Sequence, residues 1–182
     1  MKSLLDPARL KSLQDCVRAV KRIPGAIVEI GVYKGGSLKA IAAVETDKKI
    51  LGIDSFEGLV EVTPNIDTHK IGDFGDSDFE TVKNLMAAHK NVEVLKGIFP
   101  IIPWPFETVS LFHIDVDTYE STRSSLWYSA RYLEHGGVVV CDDYGAVSCP
   151  GARIAVNEFL GVMAKSYHVI NVVNSQIVLV KL

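Results

Sequence analysis

The 182-residue sequence has no apolar run long enough to cross a bilayer. Its opening stretch, MKSLLDPARLKSLQD, is broken by charges, which predicts no signal peptide and no membrane partner. Cysteine is scarce: Cys16, Cys141 and Cys149 are odd in number and show no framework spacing. That excludes a disulfide scaffold and predicts a reducing, cytoplasmic setting. Basic surplus is also missing. The net charge is −3, which argues against nucleic acid as a partner. Internal repeats and low-complexity linkers are absent, so residues 1–182 read as a single domain. What is present is a hydrophobic content of 48%, enough for a sizeable core.

Apolar runs and helical patterns alternate along the chain, which predicts an α/β fold with a parallel sheet covered on both faces. Asp6-Pro7 reads as an N-cap followed by proline at the first helical position. Pro24-Gly25 then stops that helix. Strands are expected at 26–32, 50–53, 92–95, 109–114 and 138–141. Helices are expected at 37–44, from the capping box Ser77-Asp-Phe-Glu80 onward, at 119–133 closed by Gly136, and at 152–165. The 152–165 helix should bury Ile154, Val156, Phe159, Leu160 and Met163. Apolar runs at 169–173 and 177–180, separated by Asn174-Ser-Gln176, predict an antiparallel hairpin. Residues 56–76 form a long polar segment rich in Gly and Asp, a pattern of functional lids and of plain surface loops.

Two aspartate clusters follow buried-strand patterns: Asp115-Val-Asp117 after 109–114, and Asp142-Asp143 after 138–141. Carboxylates gathered at strand ends repel one another unless a hard cation sits among them. Capping of the following segments is the structural alternative. His113, one strand residue before the first cluster, reads as a satisfied core histidine.

A glycine turn, Glu29-Ile-Gly-Val-Tyr-Lys-Gly-Gly-Ser37, follows the first strand. Gly31, Gly35 and Gly36 permit a sharp turn and close approach of a ligand. A dinucleotide site wants G-x-G-x-x-G at this place, and that string is missing. Glu29 would repel a pyrophosphate but suits the ammonium of S-adenosylmethionine. Ser37 could bond that cofactor's carboxylate near the helix start. Asp54, at the end of the second strand, could accept from both ribose hydroxyls. Tyr33 could line the transfer channel.

The glycine turn resembles the first motif of metal-dependent small-molecule O-methyltransferases. With Asp54-Ser-Phe-Glu-Gly-Leu59, Gly97-Ile-Phe99, Asp115-Val-Asp-Thr-Tyr-Glu-Ser-Thr122, Asp142-Asp-Tyr-Gly145 and Cys149-Pro-Gly-Ala-Arg153, the series is similar to the macrocin O-methyltransferase family. The resemblance implies a class I, three-layer Rossmann-like fold with strand order 3-2-1-4-5-7-6 and strand 7 antiparallel. It implies S-adenosylmethionine held by Glu29, Gly31, Tyr33, Gly35, Gly36, Ser37, Asp54, Ser55 and Asp117. It implies Mg²⁺ on Asp115, Asp142 and Asp143, with Asp115 also the proton acceptor. The acceptor would be a hydroxyl of a sugar or another small molecule. Thr118 stands where catechol-type enzymes carry a lysine base, so a lysine mechanism is not expected. Macrolide-sugar members carry a longer segment before the glycine turn. The 56–76 loop, a partner subunit in a homo-oligomer, or a larger substrate would then close the site. Two other readings stay open on sequence alone: a non-catalytic cofactor-binding module, and, on the glycine turn and Asp54 only, an NAD-linked oxidoreductase.

Overall fold

The computed structural model describes residues 3–182. Its strands are β1 (Ala26–Ile30), β2 (Ile50–Asp54), β3 (Val92–Lys96), β4 (Val109–Ile114), β5 (Leu133–Cys141), β6 (Tyr167–Val173) and β7 (Gln176–Lys181). They form one sheet in the order β3-β2-β1-β4-β5-β7-β6. β1 pairs in parallel with β2 and β4, and β4 in parallel with β5. β7 runs antiparallel to both β5 and β6. This is the expected order and hand of pairing.

The helices are α1 (Pro7–Ala19), α2 (Gly36–Ala42), α3 (Phe79–Met86), α4 (Tyr119–Tyr132) and α5 (Pro150–Met163). Strand alternation sorts the core into two halves. Ile27, Leu111, Val138, Val140 and Val178 face Leu13 and Val17 of α1, Leu38 and Ile41 of α2, and Val82 and Met86 of α3. Val28, Ile30, Phe112, Ile114, Val139 and Leu179 face Leu126 of α4 and Val156 and Phe159 of α5. Each fully buried side chain of this size stabilises the fold by about 1.5–3 kcal/mol.

Asp6 caps α1 as expected, accepting from the N–H groups of Ala8 and Arg9. Two boundaries and one burial differ. The cap of α3 is Asp78, whose carboxylate accepts from Thr81 N–H, and not Ser77. Gly136 does not close α4. The chain turns extended at Leu133, which pairs with Val109, and Gly136 lies inside β5 at φ +75°. A left-handed glycine inside a strand pattern mimics a helix stop in sequence but is a strand irregularity here. Ile154 is exposed on α5, whereas Val156 and Phe159 are buried.

The 56–76 loop is docked. Leu59 N–H donates to the Asp73 carbonyl and Gly72 N–H to the Leu59 carbonyl, and Asp67 accepts both from Thr63 N–H within the loop (2.7 Å) and from Tyr119 N–H at the start of α4 (2.9 Å). Gly151 makes this docking possible. A Cβ there would meet Asp67 Oδ1 at 2.0 Å and Tyr119 N at 2.7 Å. Gly151→Ala should therefore expel Asp67 and cost about 0.5–2 kcal/mol, the value of a helix cap. Urea unfolding would measure the loss, and limited proteolysis should show faster cleavage within 56–76.

Candidate active site

The sheet reverses its winding between β1 and β4, and such switch points are where α/β sheets bind ligands. A cleft of about 370 Å³ opens there, at the carboxyl ends of β1, β2 and β4. Gly31, Tyr33, Gly36, Ser37, Asp54, Ser55, Asp115, Asp117 and Asp143 all line it. Four of the surrounding residues are non-glycine residues at positive φ: Tyr33 (49°), Phe56 (52°), Asp117 (61°) and Asp143 (64°). Strained backbone of this kind persists where a site demands it.

Gly31 is required by packing. A Cβ would lie 1.8 Å from the Asp115 carbonyl oxygen, so β1 and β4 can converge only on glycine. Gly35 takes φ +80° and precedes α2 without a side-chain cap. A Cβ on Gly36 would lie 2.4 Å from Ser3 Cα, so the N-terminal segment folds down over the turn. Asp54 both lines the cleft and builds it. Its Oδ2 accepts from the N–H groups of Val32 (2.8 Å) and Tyr33 (2.7 Å), and its Oδ1 from Phe56 N–H (2.7 Å). The Ser55 hydroxyl donates to the Gly58 carbonyl and so shapes the loop as well.

Glu29 departs from expectation. It lies outside the cleft wall, fully buried, with Oε1 2.7 Å from His113 Nδ1. The reason is strand parity: Glu29 shares the face of Ile27, beneath α1, while Gly31 turns the chain toward the ligand. In register across the sheet, Glu29 sits opposite His113. His113 Nε2 in turn lies 2.6 Å from Asp142 Oδ2. The histidine is the satisfied core residue anticipated. Burial alone would depress its pKa, but the hydrogen bonds and charges of Asp142 and Glu29 outweigh it and hold the ring protonated.

Asp142 is more constrained than the sequence implied. Its carboxylate also accepts from Gln176 Nε2 (3.2 Å) and from Arg9 Nη1 (3.2 Å). Arg9 reaches Asp143 at 3.7 Å as well and is tied back by Asp6 and Ser175. Neither Arg9 nor Gln176 was foreseen. Arg9 had a readable signal: it continues the i, i+4 stripe of Leu5, Leu13 and Val17, so a guanidinium falls on the buried face of α1.

Asp115, Asp117 and Asp143 converge beside Asp142. Ligand atoms of Asp115, Asp142 and His113 lie within 4.8 Å of one another. Burial, with the charges of Asp142 and Asp143, pushes the Asp115 carboxyl well above the usual range. Burial and the Asp117 charge push Asp143 up to about 7. Asp143 Oδ2 is buried without a partner. The His113 nitrogens are taken up by Glu29 and Asp142, and the crowded carboxylates with the orphaned Asp143 oxygen fit a hard divalent cation. Thr118, fully buried with its hydroxyl unpartnered, is no substitute for a lysine base.

The raised Asp143 pKa makes stability depend on pH. The folded state keeps a proton that the unfolded chain releases near 3.8. That stabilising contribution is full below about pH 4 and is lost as pH rises through about 7. In chelator-treated protein at pH 8, Asp143→Asn should therefore raise stability by about 1 kcal/mol or more. Thermal unfolding across pH 4–8 should show a shallower decline in the variant than in wild type, the remainder coming from Asp115, Asp117 and His113.

Solved structures share the fold. The O-methyltransferase NovP superposes with a TM-score of 0.85 at 24% identity, covering 98% of this chain and 81% of that one. A calicheamicin methyltransferase gives 0.77 at 22%, covering 94% and 77%. Among curated relatives, a tetracenomycin-type rhamnosyl 4'-O-methyltransferase of Streptomyces olivaceus is 30% identical over 175 residues, 84% of this chain and 65% of that protein. The mycinamicin III 3''-O-methyltransferase of Micromonospora griseorubida is 28% identical over 181 residues, 86% and 69% respectively. The chain thus spans about two thirds of the length of these relatives. The family model described as macrocin-O-methyltransferase (TylF) matches residues 2–172, and the chain belongs to that family.

Proposed function

We propose that this protein is an S-adenosylmethionine-dependent O-methyltransferase that needs a divalent cation, magnesium by the chemistry of its donors. It would act on a hydroxyl of a sugar or sugar-bearing small molecule. The observation that carries this reading is the convergence of Asp115, Asp117 and Asp143 with the glycine turn on one cleft at the β1/β4 switch point. Curated relatives are named for methylation of such hydroxyls.

S-adenosylmethionine supplies an electrophilic methyl, and a cation on Asp115, Asp142 and Asp143 supplies Lewis acidity to the acceptor hydroxyl. The chain's own residues do the rest. Gly31 lets β1 and β4 converge at the cleft, and Gly36 lets the N-terminal segment fold down over the turn. Asp54 and Ser55 fix the rim on which a ribose would rest. Asp115 is placed to take the proton of an acceptor hydroxyl seated in the cleft; the bound cofactor would supply the methyl to that oxygen and leave as the thioether. Holding both reactants in one cleft supplies much of the acceleration. Glu29 serves through His113, which orients Asp142. Among the described residues no helix is long and apolar enough to cross a membrane. Its three free thiols fit the cytoplasm.

The test is transfer of labelled methyl from S-adenosylmethionine to a panel of glycosides bearing free hydroxyls. Transfer that stops in excess chelator and returns with Mg²⁺ supports the reading. Equal transfer in chelator would remove the cation from it.

A further inference from the structure

A second cluster of ligand-type side chains lies just behind the aspartates. His69, on the 56–76 loop, Asp117, after β4, and Cys149, before α5, bring one ligand atom each to within 4.8 Å of the others. Cys149 Sγ is 3.6 Å from His69 Nε2 and 3.4 Å from Asp117 Oδ1. A tetrahedral zinc-class ion, bonded at about 2.3 Å to sulfur and about 2.0 Å to nitrogen or oxygen, sets such atoms roughly 3.5 Å apart.

His69 Nδ1 faces Asp73 Oδ2 at 3.3 Å, which favours the tautomer with its proton on Nδ1 and the Nε2 lone pair toward the sulfur. The Cys149 thiol donates to Asp117 Oδ1, and the Ser148 hydroxyl lies 3.4 Å from the same sulfur. In that tautomer the Nε2–Sγ contact has no proton of its own, and a divalent cation replacing the thiol proton would engage Nε2, Sγ and Oδ1 together. The histidine–carboxylate arrangement is also what metal-binding histidines use to fix their tautomer. A thiolate and a carboxylate balance the double positive charge, so the buried site would be neutral. Cys149 is only 2% exposed.

We propose that His69, Asp117 and Cys149 form a binding site for a thiophilic divalent cation of the zinc class, adjoining the aspartate site through Asp117, which lines the cleft as well. Soft sulfur and imidazole ligands select such ions, whereas magnesium prefers oxygen alone. The ion would fasten the 56–76 loop to the β5–α5 connection and to the Asp117 turn. The loop already touches that connection, since Thr68 bonds the Ser148 carbonyl. Three protein ligands leave a fourth position for water.

Chelator-stripped full-length protein is titrated with Co²⁺, and the near-ultraviolet thiolate-to-cobalt band is followed. The expected result is a one-to-one band that Zn²⁺ displaces and Mg²⁺ does not. It should vanish in Cys149→Ala and persist in Cys16→Ser. His69→Gln, on a half-buried loop position, should weaken binding about tenfold or more. Circular dichroism checks that each variant is folded. If Cys149→Ala fails to fold, His69→Gln carries the test. No band in the wild type, a band of full strength in Cys149→Ala, or unchanged affinity in His69→Gln would overturn the proposal and leave a hydrogen-bonded latch. The band does not depend on methyl transfer, so failure of the transferase reading is separately visible.

Discussion

Replacing His113 with alanine should cost about 3–5 kcal/mol of folding stability, the penalty for leaving a buried ionic partner unpaired. His113 is fully buried between Glu29 at 2.7 Å and Asp142 at 2.6 Å. Glu29 Oε2 already lacks a partner. Without the imidazolium both carboxylates face an apolar wall, with Arg9 and Gln176 left to hold Asp142 alone. Denaturant unfolding at pH 6 would measure the difference. The ring's folded-state pKa is raised, through its bonds to Asp142 and Glu29 acting against burial. Its ionic contribution is therefore full below about pH 6.5 and is lost only as pH climbs through that higher value. The gap between wild type and variant should narrow as the solution becomes alkaline. A variant as stable as wild type at pH 6 would mean that the Glu29–His113–Asp142 row carries no net energy.

Asp115→Asn should behave in the opposite way. It should lower methyl transfer about a thousandfold, the scale of a lost general base. Folding stability should hold or rise, because Asp142 and Asp143 no longer face a third charge. Asp115 lines the cleft, whereas Asp142 is 1% exposed and held from several sides. Asp142→Ala should therefore lose activity and stability together, which makes it a poor probe of chemistry alone. Single-turnover rates and thermal unfolding, measured on both variants, separate the two aspartates. If Asp115→Asn kept more than a tenth of wild-type turnover, its assignment as proton acceptor would fail.

Much of the fold was legible because the parallel strands are buried on both faces and read as continuous apolar runs. The aspartate clusters were legible for the same reason: carboxylates directly after such runs must sit at strand ends. Boundaries failed where one residue serves two patterns, as Gly136 does inside β5. Glu29 was misplaced because motif position was read without strand parity. Ile27 and Glu29 share a face, and that face belongs to α1. Arg9 and Gln176 were missed because their importance lies in contacts more than 30 residues distant in sequence, 133 and 34 residues from Asp142. The His69–Asp117–Cys149 cluster was invisible for a related reason. Its three residues come from three separate connections and share no metal-ligand spacing.

The most direct test of the account is calorimetric titration of the purified protein with S-adenosylhomocysteine, with and without Mg²⁺. The cleft's glycine turn and Asp54 rim predict one-to-one binding in both conditions, abolished when Gly31 is replaced by a bulky residue. Absence of binding in either condition would contradict the cofactor assignment and, with it, the transferase reading.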